Sequence, residues 1–248
     1  MAEPFRNVYE DAERARAYAD LGFPGTYYLA FRDIPALIRK YVTGSRALDF
    51  GCGTGRSTRF LRDLGMTAVG IDISAPMLEE ARRRDPAGDY RLVEAGDVHA
   101  VADARFDLIF AAFTFDNIPT DAEKAGSLAA LRDLLAPGGR VLIVVSSPQI
   151  YAHEWASFST RDFPENVRAR DGDPVRIVML DVPDRRPVED VVCSDGHYRD
   201  LFSRARLTVL EMTRPLATGD EPIRWVSETT IAPWSVYVLA AAGFPEIT

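Results

Sequence analysis

A short apolar run, Ala47-Leu48-Asp49-Phe50, breaks into Gly51-Cys52-Gly53-Thr54-Gly55 and continues as Arg56-Ser57 with a helical pattern. The apolar residues predict a buried strand and the glycines a tight turn that lets backbone approach a ligand. The residues after the turn predict the opening of a helix. The next apolar run closes on an acidic residue, Asp72. A dinucleotide fingerprint would place its third glycine three residues after the second, where this chain has Arg56. The alternating glycines at 51, 53 and 55 therefore argue against NAD and point to another small adenosine-containing ligand.

Asp49-Phe50-Gly51-Cys52-Gly53-Thr54-Gly55 resembles the first motif of the class I S-adenosylmethionine-dependent methyltransferases. Later segments resemble that family's other motifs in the right order. They are Val69-Gly70-Ile71-Asp72-Ile73-Ser74, Glu94-Ala95-Gly96-Asp97-Val98, Phe106-Asp107-Leu108-Ile109, and Leu134 to Arg140, which carries Pro137-Gly138-Gly139. Together the matches span residues 46 to 147.

Two roles follow from the chemistry of the positions. A carboxylate at the carboxyl end of the second strand, Asp72, can accept both hydroxyls of a ribose. The helix opening after Gly55 offers unpaired N–H groups and a positive dipole end to the methionine carboxylate. The resemblance implies the rest. Gly51, Cys52, Gly53 and Gly55 would form the cofactor turn, and Asp49 would support that turn and the methionine ammonium. Ile73 would pack on the adenine, Asp97 would receive its amino group and Val98 would meet the ring edge through its backbone. Apart from the resemblance, Phe113 is expected at the cofactor, and Tyr9 and Tyr18 on the leading helices, with Tyr27, Tyr28 and Arg32, are placed to close over the cofactor or to grip the acceptor. The implied cofactor is S-adenosyl-L-methionine, with S-adenosyl-L-homocysteine as product.

Strands are expected near 46–50, 67–71, 90–94, 106–111 and 140–146, with helices near 56–64, 75–84 and 121–135. Such alternation predicts an α/β fold with a parallel sheet and helices on both faces. The resemblance extends this to a Rossmann-like, doubly wound, seven-stranded sheet, completed by strands near 207–213 and 235–241 with the last antiparallel. Helices are also expected at Tyr9–Leu21 and Tyr27–Tyr41, split by Gly22-Phe23-Pro24-Gly25 and forming an N-terminal helical lid. Residues 148 to 195 follow strand five as a long insertion. Its runs 175–182 and 188–193 predict a β-hairpin with Pro183 to Pro187 at the tip. The whole of 1–248 reads as a single domain: lid 1–44, cofactor-binding core 45–147, substrate-lid insertion 148–195, and a C-terminal helix and strands 196–248. The acceptor pocket is expected between the insertion, the leading helices and the loop Phe113 to Ile118. The other use of the hairpin is to form a homodimer.

The chain has 248 residues, 47% apolar and 27% charged, enough to bury a large core. Its net charge of -8 offers no footprint for nucleic acid or an anionic membrane. The start Met1-Ala2-Glu3-Pro4 lacks a signal-peptide pattern, and Val141 to Val145 is too short to span a bilayer, so a cytoplasmic location is expected. Cys52 and Cys193 form no disulfide framework, and the scattered His99, His153 and His197 form no zinc motif; no metal is expected.

Methyl transfer from a sulfonium needs alignment, exclusion of water and, for some acceptors, a base. His153, just beyond strand five beside Tyr151 and Trp155, is the first candidate base, and His197, in Ser194-Asp195-Gly196-His197, the second. The expected activity is methyl transfer to an oxygen or nitrogen of a small molecule. The alternatives are a non-methylating cyclase or decarboxylase on the same fold and a cofactor-binding module.

Overall fold

A computed structural model describes residues 11–98, 101 and 104–243. Helices α1 (Ala12–Ala19), α2 (Thr26–Arg32) and α3 (Ile34–Tyr41) lead the chain. The core then runs β1 (Arg46–Phe50), α4 (Arg56–Asp63), β2 (Thr67–Asp72), α5 (Ala75–Arg84), β3 (Asp89–Leu92), β4 (Phe106–Ala112), α6 (Asp121–Asp133) and β5 (Leu135–Ser146). The insertion contributes β6 (Phe158–Ser159), β7 (Pro174–Met179) and β8 (Val188–Val191), and α7 (Asp195–Arg204), β9 (Leu207–Thr213) and β10 (Trp234–Ala241) complete the chain.

The main sheet has seven strands in the order β3-β2-β1-β4-β5-β10-β9, with β10 antiparallel to both neighbours and the remaining pairs parallel. This is the expected doubly wound sheet. Its central strands are apolar on both faces because helices cover both. Leu108, Phe110, Leu142, Val144, Val236 and Val238 point to the side of α2, α3 and the insertion. Their alternating neighbours Ile109, Ala111, Val141, Ile143, Tyr237 and Leu239 point to the side of α6 and α7.

Three local expectations change. The helix expected over Tyr27–Tyr41 is two helices, α2 and α3, because Pro35 has no N–H to continue the ladder to Phe31. Strand β5 begins at Leu135, and the turn Pro137-Gly138-Gly139 shifts its register on β4 between the pairs Phe106–Leu135 and Leu108–Arg140. The insertion is a three-stranded antiparallel sheet, β6-β7-β8, in which the short strand β6 pairs with β7 beside the expected hairpin.

Candidate functional site

The glycine turn joins β1 to α4 at the carboxyl end of the sheet, where open α/β sheets bind ligands. Gly51 and Gly53 both hold left-handed backbone, with φ +71° and +53°, but face different surroundings. A Cβ on Gly51 would lie 2.3 Å from Thr114 Oγ1, whose hydroxyl donates to the carbonyl of Phe50 at 2.8 Å. A Cβ on Gly53 would meet nothing closer than Met77 Cε at 3.9 Å. Gly51 is thus bare because protein packs there, and Gly53 borders open space.

That space is a cavity of about 390 Å³. Of the residues expected at the cofactor, Gly51, Cys52, Gly53, Asp72, Ile73, Phe113 and Tyr18 line it. Asp49, Gly55, Asp97 and Val98 do not; Val93, Ala95 and Gly96 form the wall near the last two. Gly55 instead packs under Tyr90, whose Oη would lie 2.5 Å from an added Cβ. Tyr9 and His99 lie outside the described residues.

Asp72 ends β2 at the cavity wall, its Oδ2 accepting from the Gly53 N–H at 2.7 Å and its Oδ1 from the Ser74 N–H at 2.8 Å. A carboxylate has roughly four acceptor positions, so two remain for a ligand. Burial raises its pKa above the usual carboxylate range, against the lowering effect of those N–H groups. Asp49 sits fully buried beneath the turn, where Oδ2 accepts from Ser57 Oγ and Thr58 Oγ1, both at 2.6 Å. Its Oδ1 has no hydrogen-bond partner among the described residues. Burial pushes this carboxyl up to about 6 despite the two hydroxyls.

Arg56 opens α4 at the cavity and went unremarked in the sequence except as a departure from a glycine pattern. Its guanidinium faces the rings of Tyr18, Phe23, Tyr27, Phe31 and Phe113 at 4.9–6.0 Å from their centroids. It donates to the Gly22 carbonyl at 2.6 Å and to Tyr18 Oη at 2.9 Å, tying the leading helices to the glycine turn.

A second, smaller chamber of about 40 Å³ adjoins the cavity through the shared residues Tyr18, Phe113 and Asn117. The loop Phe113 to Ile118, the leading helices and the insertion meet here. Asp116 and Asp190, 74 residues apart in sequence (190 − 116), both line it. Asp116 accepts from the Ser146 N–H at 3.0 Å and from Tyr198 Oη at 3.4 Å, and Asp190 accepts from Tyr151 Oη at 3.1 Å. Burial first, relieved in part by its hydrogen bonds from Ser146, raises Asp116 to about 6; burial and then the charge of Asp116 raise Asp190 to about 7. Sequence carried no local signal for this pairing, since β8 and the turn after β4 meet only in the folded insertion.

Neither candidate histidine lines either space. The turn after β5 buries Ile150 and Tyr151 and leaves His153 half-buried, Nε2 3.2 Å from Gln149 Oε1 and its ring edge-on to Trp155. His197 caps no cavity; its Nε2 lies 2.8 Å from Asp121 Oδ1 and links α7 to α6. Proximity along the chain thus does not bring either histidine to the walls of these cavities.

A strand, glycine turn and helix with an acid at the end of the second strand, on a sheet of this order, define the class I methyltransferase architecture. A methyltransferase-domain family model matches residues 48–143. The demethylmenaquinone methyltransferase of Renibacterium salmoninarum is 30% identical over 174 residues, covering 64% of this chain and 71% of that one. The malonyl-[acyl-carrier protein] O-methyltransferase of Pseudescherichia vulneris is 32% identical over 120 residues, a match that spans less than half of that relative, 45%. Among solved structures, the CcbJ methyltransferase of Streptomyces caelestis superposes with a TM-score of 0.67 at 19% identity, covering 96% of this chain and 99% of the other. The chain belongs to the class I S-adenosylmethionine-dependent methyltransferases.

Proposed function

We propose that this protein transfers the methyl group of S-adenosylmethionine to an oxygen or nitrogen of a small molecule. The observation that carries the reading is the cavity of about 390 Å³, within the range of small-ligand sites, walled by the glycine turn and Asp72. The residues present suit the donor. Gly53 leaves backbone open to the cavity, Asp72 keeps acceptor positions for ribose hydroxyls, and the orphaned Asp49 Oδ1 lies beneath the turn where a methionine ammonium would be held. Arg56 and the N–H groups opening α4 suit its carboxylate. Ile73 and Gly96 line the wall where an adenine would pack. When bound, the sulfonium supplies an activated methyl group. The chain's own residues orient it, keep water out and present the acceptor from the adjoining chamber. Its sequence relatives include a malonyl-[acyl-carrier protein] O-methyltransferase and a demethylmenaquinone methyltransferase, which supports methyl transfer without selecting an acceptor. The two buried, unpaired cysteines, Cys52 and Cys193, suit a cytoplasmic, reducing setting.

The test is calorimetric titration of the full chain with S-adenosylmethionine and S-adenosylhomocysteine. One-to-one binding of both is expected; binding of neither would overturn the reading.

A further inference from the structure

The chamber beside the cofactor cavity is chemically one-sided. Two of the side chains that line it each carry a buried oxygen without a hydrogen-bond partner among the described residues: Asp190 Oδ1 and Asn117 Oδ1. Both are acceptors, Asn117 having its amide nitrogen committed to the Phe113 carbonyl at 3.2 Å. A buried acceptor left unpaired is costly, so the complementary occupant is a hydrogen-bond donor. The charges agree. Asp116 and Asp190 face one buried cation, Lys124, whose Nζ already donates to the carbonyls of Phe115 and Ile118 at 2.8 and 2.7 Å. Two carboxylates against one ammonium leave room for one more positive charge. Around the acids stand Trp234 and Phe158, rings 5.7 Å apart, and Tyr151, the lining that cations favour. A volume of about 40 Å³ holds roughly three water-sized groups, the size of an aminomethyl head rather than a ring. Among the described residues no third metal-ligating side chain joins the two acids, which sets the chamber apart from a metal site.

We propose that the methyl acceptor is an alkylamine, whose ammonium head enters this chamber against Asp190 and Asn117, and that Asp190 is the base that takes its proton. The proposal rests on the methyltransferase reading above. The proton passes from the ammonium to the Asp190 carboxylate, leaving a neutral amine with a free lone pair. The lone pair forms the nitrogen–carbon bond as the sulfur–carbon bond breaks and its electrons go to sulfur. The methylated product departs as an ammonium, and Asp190 returns its proton to solvent. Asp190 suits that step because burial and the neighbouring Asp116 hold it at about 7, close to working pH. Acting on Asp190 are the charges of Asp116 on the turn after β4, Lys124 on α6 and Glu189, its neighbour on β8 that points to the other face, and the hydrogen bond from Tyr151 on the turn after β5. Tyr198 on α7 faces it across Asp116, and Arg56 on α4 lies behind the shared wall of Tyr27 and Phe113.

The experiment uses the full chain saturated with S-adenosylhomocysteine, that binding being measured first by calorimetry. Propylammonium chloride and 1-propanol are then titrated at matched ionic strength, with sodium chloride as control. At pH 8 propylammonium should bind at least about tenfold more tightly than the alcohol, the scale of one charge-assisted contact. Asp190→Asn should erase that preference while keeping the affinity for S-adenosylhomocysteine. In the wild type the preference should also fade as pH drops through about 7, because propylammonium stays charged while Asp190 becomes neutral. That arm stands even where the variant does not fold. Equal binding of amine and alcohol, or a preference that survives in the variant or is flat with pH, overturns the amine acceptor and leaves the cofactor reading intact. Absence of S-adenosylhomocysteine binding overturns both.

Discussion

At the scale of single residues, the carboxylates divide by what they face. Asp72 meets the large cavity with two acceptor positions left over, so Asp72→Ala should weaken S-adenosylmethionine binding by about 1.5–3 kcal/mol, read by calorimetry. Asp190 has a different signature, in stability. Its carboxyl is raised to about 7 in the fold, against an ordinary value of about 3.9 in the unfolded chain. The fold therefore binds the extra proton between those values, and the wild type loses stability as pH rises through that window. Asp190→Asn, which cannot ionise, should gain melting temperature relative to wild type between pH 4.5 and pH 8. A constant difference across that range would mean that Asp190 does not titrate in the window.

At the scale of elements, the glycine turn separates packing from binding. Gly51→Ala and Gly53→Ala both place a side chain in left-handed backbone, at a cost of about 1 kcal/mol. Gly51→Ala also drives a methyl into Thr114, and should cost about 2–3 kcal/mol in denaturant unfolding. Gly53→Ala should fold more nearly like the wild type yet weaken cofactor binding, because its methyl meets no protein atom closer than 3.9 Å and enters the cavity. The turn, the strands around it and the acid at the end of β2 were legible in the sequence because each is a local pattern: an apolar run, spaced glycines, a residue at a strand end. The smaller chamber was not. Asp116 was visible only beside Asn117, and nothing near Asp190 in the chain announces that β8 will bring it to the turn after β4. The ring of aromatics around Arg56 was hidden for the same reason, since α1, α2, α4 and the end of β4 each supply a part. His153 shows the converse failure, a residue near a strand end in sequence whose side chain hydrogen-bonds Gln149 instead of reaching the cavities.

At the scale of the whole molecule, the leading helices and the insertion are clasped to each other and to the core. Arg14 on α1 is 2% exposed, pairs with Asp184 at 3.1 Å and donates to the Arg186 carbonyl at 2.7 Å, joining α1 to the β7–β8 loop. Arg56 ties the loop after α1 to α4. Ligand in the cavity should reinforce this assembly only if it contacts the clasped arrangement preferentially. S-adenosylhomocysteine should then slow hydrogen exchange over residues 12–25 and 180–187 and leave 140–146 unchanged; equal exchange with and without ligand would show that these segments form a fixed wall.

The strand order also bears on synthesis. As the chain leaves the ribosome, β1 can pair with β2, and β4 and β5 can then add in turn, each to a strand already made. Strand β9 emerges before β10, the strand that must lie between it and β5. Until Trp234–Ala241 appears, Val141 to Ser146 is an unpaired edge carrying five consecutive apolar residues that are fully buried in the finished sheet. Such an edge is a template for pairing with other chains. The segment placed last in the sheet is thus the one that shields the nascent protein from aggregation, and ribosomes paused before it would hold the most vulnerable form of the molecule.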